Sequence, residues 1–579
     1  MSATVIEQPT TTQTPAATSN GHAPSPFHSA APVVTLLRDE SSHHPFALSV
    51  AAAWSCYGAR PAKVENVLKL IHGPAPEGLS PEKAAEREDR RQRTLKLYAD
   101  LFAAGHHTTL QHATFVFVLD NVSRLAIWSF FHAHPFYNSE QVSQRYREVS
   151  GKVMVTPALP EPMLSIYQDA IERSLEGYRR LTEILIPDFQ RDYATVFPAR
   201  AKAKGPRAEE RVAGAVQKRA QEVARYVLPL ATPAHLYHTV NGLTLLRYHA
   251  LANQPDAPTE VRFIVNRMVE EVLALDPYFL GAPDHPLDLR ALSTDDTLEA
   301  EALANWQANL AQTPEETEAF CRRFDEELGD LDSKLISHNP AAERTMADAV
   351  RTVLGLTPDA LSDEDAIAQV LDGSQNPYLG HALFLGMHSK LMQTMNHVPF
   401  TFQKRISGAE EAQNQRHRGT LSSGPILSAH LRRDPDVILP WAIARNPAAR
   451  AEYDATVQAL WDAKNALLDQ GVAPEVALYL LPNAHRVRFY ESGTLLTYFW
   501  KWIKRLCYDA QREIFATARQ EVAQIREVHP TIGRYVDGPP CVMRSRSAAK
   551  PICPEGERYC GIPVWREYQF EELEARRVM

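Results

Sequence analysis

Cysteine is scarce, with six in 579 residues. That is too few for a disulfide framework in so long a chain, and it fits a reducing, cytoplasmic setting. Long apolar runs are missing as well. No stretch approaches the ~20 residues a membrane span requires, so no membrane partner is expected. The N-terminus has neither the basic region nor the apolar core of a secretion signal. Nor is there an excess of positive charge. The formal net charge is −9, which argues against a broad nucleic-acid surface yet permits a basic pocket for one nucleotide. Neither kind of Gly-rich phosphate loop is present. Any bound phosphate must therefore be held by side chains and helix ends. Arginine suits that task, because its planar fork bonds phosphate bidentately and stays charged.

A chain this long exceeds one ordinary core, so more than one domain is expected. Residues 1–32 are rich in Thr, Pro, Ala and Ser without an apolar period and read as a disordered tail. Val33 to Leu37 reads as a first strand. Ser80 as N-cap, Pro81 at the first helical position and Gly105 as stop frame a helix. The alternation Thr114-Phe115-Val116-Phe117-Val118-Leu119 reads as a buried strand. Amphipathic helices are expected near 160–195, near 205–228 and from about Thr259, where Val261, Val265, Met268 and Val272 recur at three and four. Residues 286–375 are acidic and helical in pattern, with a helix start at Thr313-Pro314, and read as a connector.

The second half repeats the first. His397-Val398-Pro399-Phe400-Thr401-Phe402 echoes His112-Ala113-Thr114-Phe115-Val116-Phe117, and Leu481-Pro482 echoes Leu228-Pro229. Ala510 follows Pro482 at the same distance at which Ala257 follows Pro229. Each alanine has a glutamate three residues on, Glu513 and Glu260. An ungapped match of that kind points to duplication.

Between Gly105 and Tyr146 the order is Gly105-His106-His107-Thr108, His112, the strand, and finally Ser143-Gln144-Arg145-Tyr146. With Ala224-Arg225-Tyr226-Val227-Leu228-Pro229 and Thr239-Val240-Asn241, this resembles the flavin-dependent thymidylate synthase family. That family carries an Arg-His-Arg triplet before its Ser-x-Arg-Tyr. Here the slot reads His132-Ala133-His134-Pro135, and the triplet stands downstream as Arg416-His417-Arg418, nineteen residues after His397. The resemblance implies an α+β fold of two tandem, diverged synthase-like domains, helix-rich with a small antiparallel sheet in each. The first would span 33–285. The second would span 376–579, with a cysteine-containing C-terminal extension.

The resemblance further implies reductive methylation of dUMP to dTMP, with methylenetetrahydrofolate as carbon donor and FAD and NADPH as cofactors. It assigns Gln141, Ser143, Arg145, Arg225, Gln413 and Arg416 to the nucleotide, and His106, Thr108, His112, Asn241, Arg416, His417 and Arg418 to the flavin. Arg505 and Ser143 become the catalytic candidates, Arg505 by stabilising charge on the uracil ring. Leu478 and Thr494 stand where Arg225 and Asn241 would recur, and Ala252 where Arg505 would. Each half lacks what the other keeps, so sites shared between the halves are expected. A homo-oligomer, a dimer of tandem chains, is implied. The alternative is a degenerate synthase fold that binds nucleotide or flavin, or acts as a scaffold, without turnover. Cys541, Cys553 and Cys560 are spaced too loosely for the tight pairs of a zinc site, with His529 or Cys507 as conceivable fourth ligands. Apolar packing is the favoured reading for them, and no metal is expected.

Overall fold

Alternation makes the sheets. Along Thr114–Ser123 the side chains of Phe115, Phe117 and Leu119 are fully buried, while Thr114, Val116 and Val118 stand on the more open face. Each large apolar side chain buried this way stabilises by about 1.5–3 kcal/mol. In the computed structural model the described residues are 25–145, 147–149, 154–252, 258–289, 298–299, 301–302, 304 and 314–579. Thr114–Ser123 lies between Val33–Leu36 and Pro233–Asn241, and Asn138–Gln141 forms the far edge, all antiparallel. The second half repeats this order with Ser333–His338, Pro399–Ser407, Arg486–Thr494 and Leu421–Ser423. The expected small antiparallel sheet is thus present in each half.

Helices pack around and between the sheets. Ser80 caps Pro81–Ala103, its hydroxyl accepting from the Lys83 amide. Asn241 and Thr494 cap the helices Gly242–Leu251 and Leu495–Arg505 at the ends of matching strands. The long helices Met163–Val196 and Pro447–Asp469 join the halves. They approach so closely that a Cβ on Gly177 would lie 2.2 Å from Thr456 Oγ1.

A two-fold seam relates the halves. Pro229 bridges Pro482. The Leu230 amide donates to Leu481 O and the Asn483 amide to Leu228 O, both at 2.8 Å. Ala231 donates to Tyr479 O and Ala484 to Tyr226 O, both at 2.9 Å. The side chains follow the same rule. Glu260 accepts from the Ser123 amide at 2.8 Å and is reached by Tyr479 from the other half at 2.5 Å. Glu513 accepts from the Ser407 amide at 2.8 Å and is reached by Tyr226. Residue i meets j while j meets i, as in an isologous dimer fused into one chain.

Two expectations are corrected. The tail 1–32 does not run to the first strand: residues 1–24 lie outside the described residues, but Phe27 is buried edge-on against Phe263 and His28 Nε2 bonds Leu159 O at 2.7 Å. A buried aromatic ring and a backbone bridge from Phe27 to Pro157 dock a segment with no periodic pattern. Nor is 286–375 merely a connector. Residues 290–297, 300, 303 and 305–313 lie outside the described residues, including the expected helix start at Thr313. Ser333–His338, however, is an edge strand of the second sheet, and Ala342–Leu354 and Asp363–Leu371 bury Met346, Val350, Ile367 and Val370 in the second core. The acidic residues of those helices cover a buried apolar stripe.

Candidate active site

The seam brings the two halves' polar loops to one cavity of about 250 Å³. From the first half come Arg124, Glu140, Gln141, Ser143, Gln144, Arg145 and Arg225. From the second come Gln413, Arg416, Asn483, His485 and Arg505. Local structure fixes each one. Arg124 follows the capping Ser123, and its guanidinium donates to Gln141 Oε1 at 2.8 Å and Val142 O at 2.7 Å, which ties down the Ser143 loop. Arg145 pairs with Glu222 and donates to Asp509 O at 2.7 Å. Arg225 is buried and donates to Gln511, which also receives Gln413. Arg505, on the last turn of its helix, donates to His417 Nε2 at 2.9 Å and Gln413 O at 2.7 Å.

The cavity is strongly cationic. Burial, with Arg225 and Arg416 alongside, pushes Arg124 down to about 9. Burial would raise Glu222, but Arg145, Arg219 and Arg225 overcome it and hold the carboxyl down at about 2. Burial keeps His417 well below the usual histidine range, so its ring stays neutral and can accept from Arg505. Around this cavity Arg124 Nε, Gln144 Nε2, Gln413 Oε1 and His485 Nε2 are buried without a partner. Convergent cations and orphaned polar atoms are what an anionic, hydrogen-bonding ligand such as a nucleotide requires.

A second cleft of about 300 Å³ adjoins the first across Glu140 and Arg416. It is lined by His132, Tyr137, Asn138, Ser139, Tyr237, Thr239 and Arg418. His132 stacks on Tyr137 with ring centroids 4.5 Å apart, and Arg418 lies over Tyr137 at 5.3 Å. Both ring nitrogens of buried His132 and the hydroxyl of Ser139 lack partners.

Of the residues singled out from the sequence, Gln141, Ser143, Arg145, Arg225, Gln413, Arg416 and Arg505 meet in the first cavity, and Arg418 lines the second. Tyr146 lies outside the described residues. His417 lines neither and instead supports Arg505. His106, Thr108 and His112 are exposed and line neither cleft, and Asn241 accepts from the Thr244 amide as a helix cap. These four stay at the outer end of the first sheet, where Thr114 pairs with Asn241. Arg124, Gln144, Glu222, His485 and Gln511 were not foreseen. Only the position of Arg124 after a capping serine could have hinted at one of them.

The chain matches the model of the family described as "Thymidylate synthase complementing protein" over residues 37–278 and again over 334–531. It belongs to that family. It is 31% identical to the flavin-dependent thymidylate synthase of Geobacter sulfurreducens over 41% of this chain and 97% of that protein. With the flavin-dependent thymidylate synthase of Clostridium tetani it shares 25% identity over 38% of this chain and 81% of that protein. Among solved structures it is similar to a UMP/dUMP methylase, PolB, from Streptomyces cacaoi bound with 5-Br dUMP. That likeness has a TM-score of 0.28 and 18% identity, over 43% of this chain and 94% of that one.

The two family units are not equivalent. Under the seam's symmetry, His132 takes the place of Arg416, each nine residues beyond its capping serine, Ser123 or Ser407. Leu478 and Ala252 take the places of Arg225 and Arg505, and both are buried. The mirror position therefore carries none of these three arginines, and the cationic pocket stands on one side of the seam.

Proposed function

We propose that this chain is a cytoplasmic flavin-dependent thymidylate synthase that reductively methylates dUMP to dTMP, drawing the carbon from methylenetetrahydrofolate. The observation that carries this reading is the composite cavity, in which Ser143, Arg145 and Arg225 of one half face Gln413, Arg416 and Arg505 of the other. Arg145 and Arg225 would anchor the nucleotide phosphate, with Arg124 supporting the loop that presents Ser143. Arg505, braced by neutral His417, would stabilise negative charge developing on the uracil ring. A charge set in place before reaction acts without reorganisation, an effect of about 3–4 kcal/mol where single donors have been removed.

The second cleft fits a flavin ring in its chemistry through cations at Arg416 and Arg418 and the unpartnered atoms of His132 and Ser139. FAD bound there supplies the hydride chemistry, and NADPH is the proposed reductant. His106, Thr108 and His112 are exposed and Asn241 caps its helix, so their part in holding flavin would need a second tandem chain, a dimer.

The degenerate-fold alternative draws support from those same four residues. One experiment separates the two readings. Purified protein should show a flavin absorbance spectrum and oxidise NADPH only when dUMP and methylenetetrahydrofolate are both present. Bound flavin and dUMP without product would favour the alternative.

A further inference from the structure

The C-terminal extension, which lies beyond the second family match, closes a further cavity behind the nucleotide pocket. This cavity measures about 230 Å³, close to the 250 Å³ of the first, so its occupant would be of comparable size. Phe189, Val223, Ile438, Leu439, Pro440 and Ala516 give it an apolar wall. The extension adds Glu574, Arg577 and Met579, so the cavity is completed by residues that the family match does not include.

Two arginines leave donors unused there. Arg577 is 5% exposed, and its Nε donates to Met579 O and its Nη2 to Ala510 O, both at 2.7 Å. Its Nη1 is buried without a partner. Arg512, whose guanidinium lies 4.0 Å over the Trp441 ring, also buries an unpartnered Nη1. A buried charged donor left unmade is costly, and two in one cavity point to a ligand.

The carboxylates lining the cavity are already engaged. Glu222 pairs with Arg145 and Arg219, Glu513 accepts from Ser407 and Tyr226, and Glu574 pairs with Arg519 at 3.3 Å. Burial, with Arg219 and Arg512 alongside, pushes Arg577 down to about 9, as befits a cation short of negative charge. Gln511 opens the helix Arg512–Val528 without a side-chain cap, so the helix's positive pole adds to the cationic side. Two free N–H groups beside an apolar wall match the two oxygens of a carboxylate that carries an apolar body. A phosphate dianion would set its second charge against the three glutamates.

We propose that this cavity is an effector site for a small organic carboxylate, bound by Arg512 and Arg577, and that its occupancy tightens the nucleotide pocket. The route is short. Arg577 holds Ala510, Arg512 follows Gln511, and Gln511 accepts from Arg225 and Gln413 while donating to Tyr226. A carboxylate bridging the two arginines would fix the segment that positions Gln511, and with it Arg225, before dUMP arrives. The coupling rests on the proposed nucleotide site, whereas the carboxylate site does not. Such coupling is reciprocal, so each ligand should tighten the other by the same factor.

The test is a calorimetric titration of the full chain with octanoate, 4-phenylbutyrate and indole-3-acetate, with 4-phenylbutanol as the uncharged control. At least one carboxylate should bind once per chain, and 4-phenylbutanol roughly tenfold more weakly. R512M, which removes a donor, and A516F, which fills the space and leaves both arginines in place, should each weaken carboxylate binding by roughly tenfold or more. Native-like circular dichroism shows that each variant folds. With the carboxylate at saturation, dUMP should bind about fivefold more tightly. No measurable carboxylate binding, equal binding of the alcohol, or binding untouched by A516F would overturn the site. A bound carboxylate with unchanged dUMP affinity would overturn the coupling. Carboxylate binding by a chain that takes up no dUMP would support this site while failing the nucleotide reading.

Discussion

Arg505 Nε donates to His417 Nε2 at 2.9 Å, so the histidine of the Arg-His-Arg triplet is a brace for an arginine eighty-eight positions downstream. Burial holds His417 well below its usual range, which leaves Nε2 free to accept. Replacing Arg505 with lysine keeps the charge but loses the fork that reaches both His417 and Gln413 O. On the proposed reading, R505K should lower kcat by roughly 10²-fold with little change in dUMP affinity, because a contact to developing ring charge strengthens only in the transition state. Steady-state kinetics beside a dUMP titration would check this. Equal losses in kcat and affinity would mean that Arg505 merely binds.

Arg145 should behave in the opposite way. It is nearly buried between Glu222 and Asp509 and faces the cavity. R145A should weaken dUMP binding by about 2–4 kcal/mol, the cost of leaving a charged partner unpaired. Binding of deoxyuridine, which lacks the phosphate, should be weakened far less by the same substitution. A calorimetric titration of both ligands distinguishes a phosphate contact from general damage.

Glu222 predicts an acid limb of stability. Its carboxyl is held at about 2 against an ordinary 4.5, since its arginines outweigh burial. A depressed carboxylate contributes stability that is fully present above about pH 4.5 and is lost as pH falls toward 2. The contribution is on the order of 3 kcal/mol. Denaturant titrations across that window should show E222Q less stable at neutral pH, with a flatter acid limb. An unchanged limb would show that Glu222 is not held as described.

At the joint between the halves, G177A should destabilise by roughly 1–3 kcal/mol, because the new methyl would meet Thr456 Oγ1 at 2.2 Å. Pairing it with T456A should recover part of the loss. Thermal denaturation of the two variants would check the contact, and additive losses would exclude it.

Much of this was legible in the sequence because both repeats keep their polar landmarks. Equal spacing from Pro229 and Pro482 located Glu260 and Glu513, which prove to be matching anchors across the seam. The split of arginines was legible for the same reason. Ser333–His338 was not: Ser-Lys-Leu-Ile-Ser-His is short and largely polar, and its pairing with Pro399–Ser407 carries a register shift that breaks alternation. Gln511 was invisible because its role is to join Arg225, Gln413 and Tyr226, a meeting set by tertiary structure alone. His106, Thr108, His112 and Asn241 matched motifs yet lie apart from the cavity, because they sit at the outer end of the first sheet whereas the cavity forms at the seam between the halves.

The central claim is one nucleotide pocket per chain, built from both halves. Its most direct test is a dUMP titration of the full chain and of R225A and R416A, one variant from each half. A single dUMP should bind per chain, with binding weakened by either substitution. Two equivalent sites per chain, or undiminished binding in either variant, would contradict it.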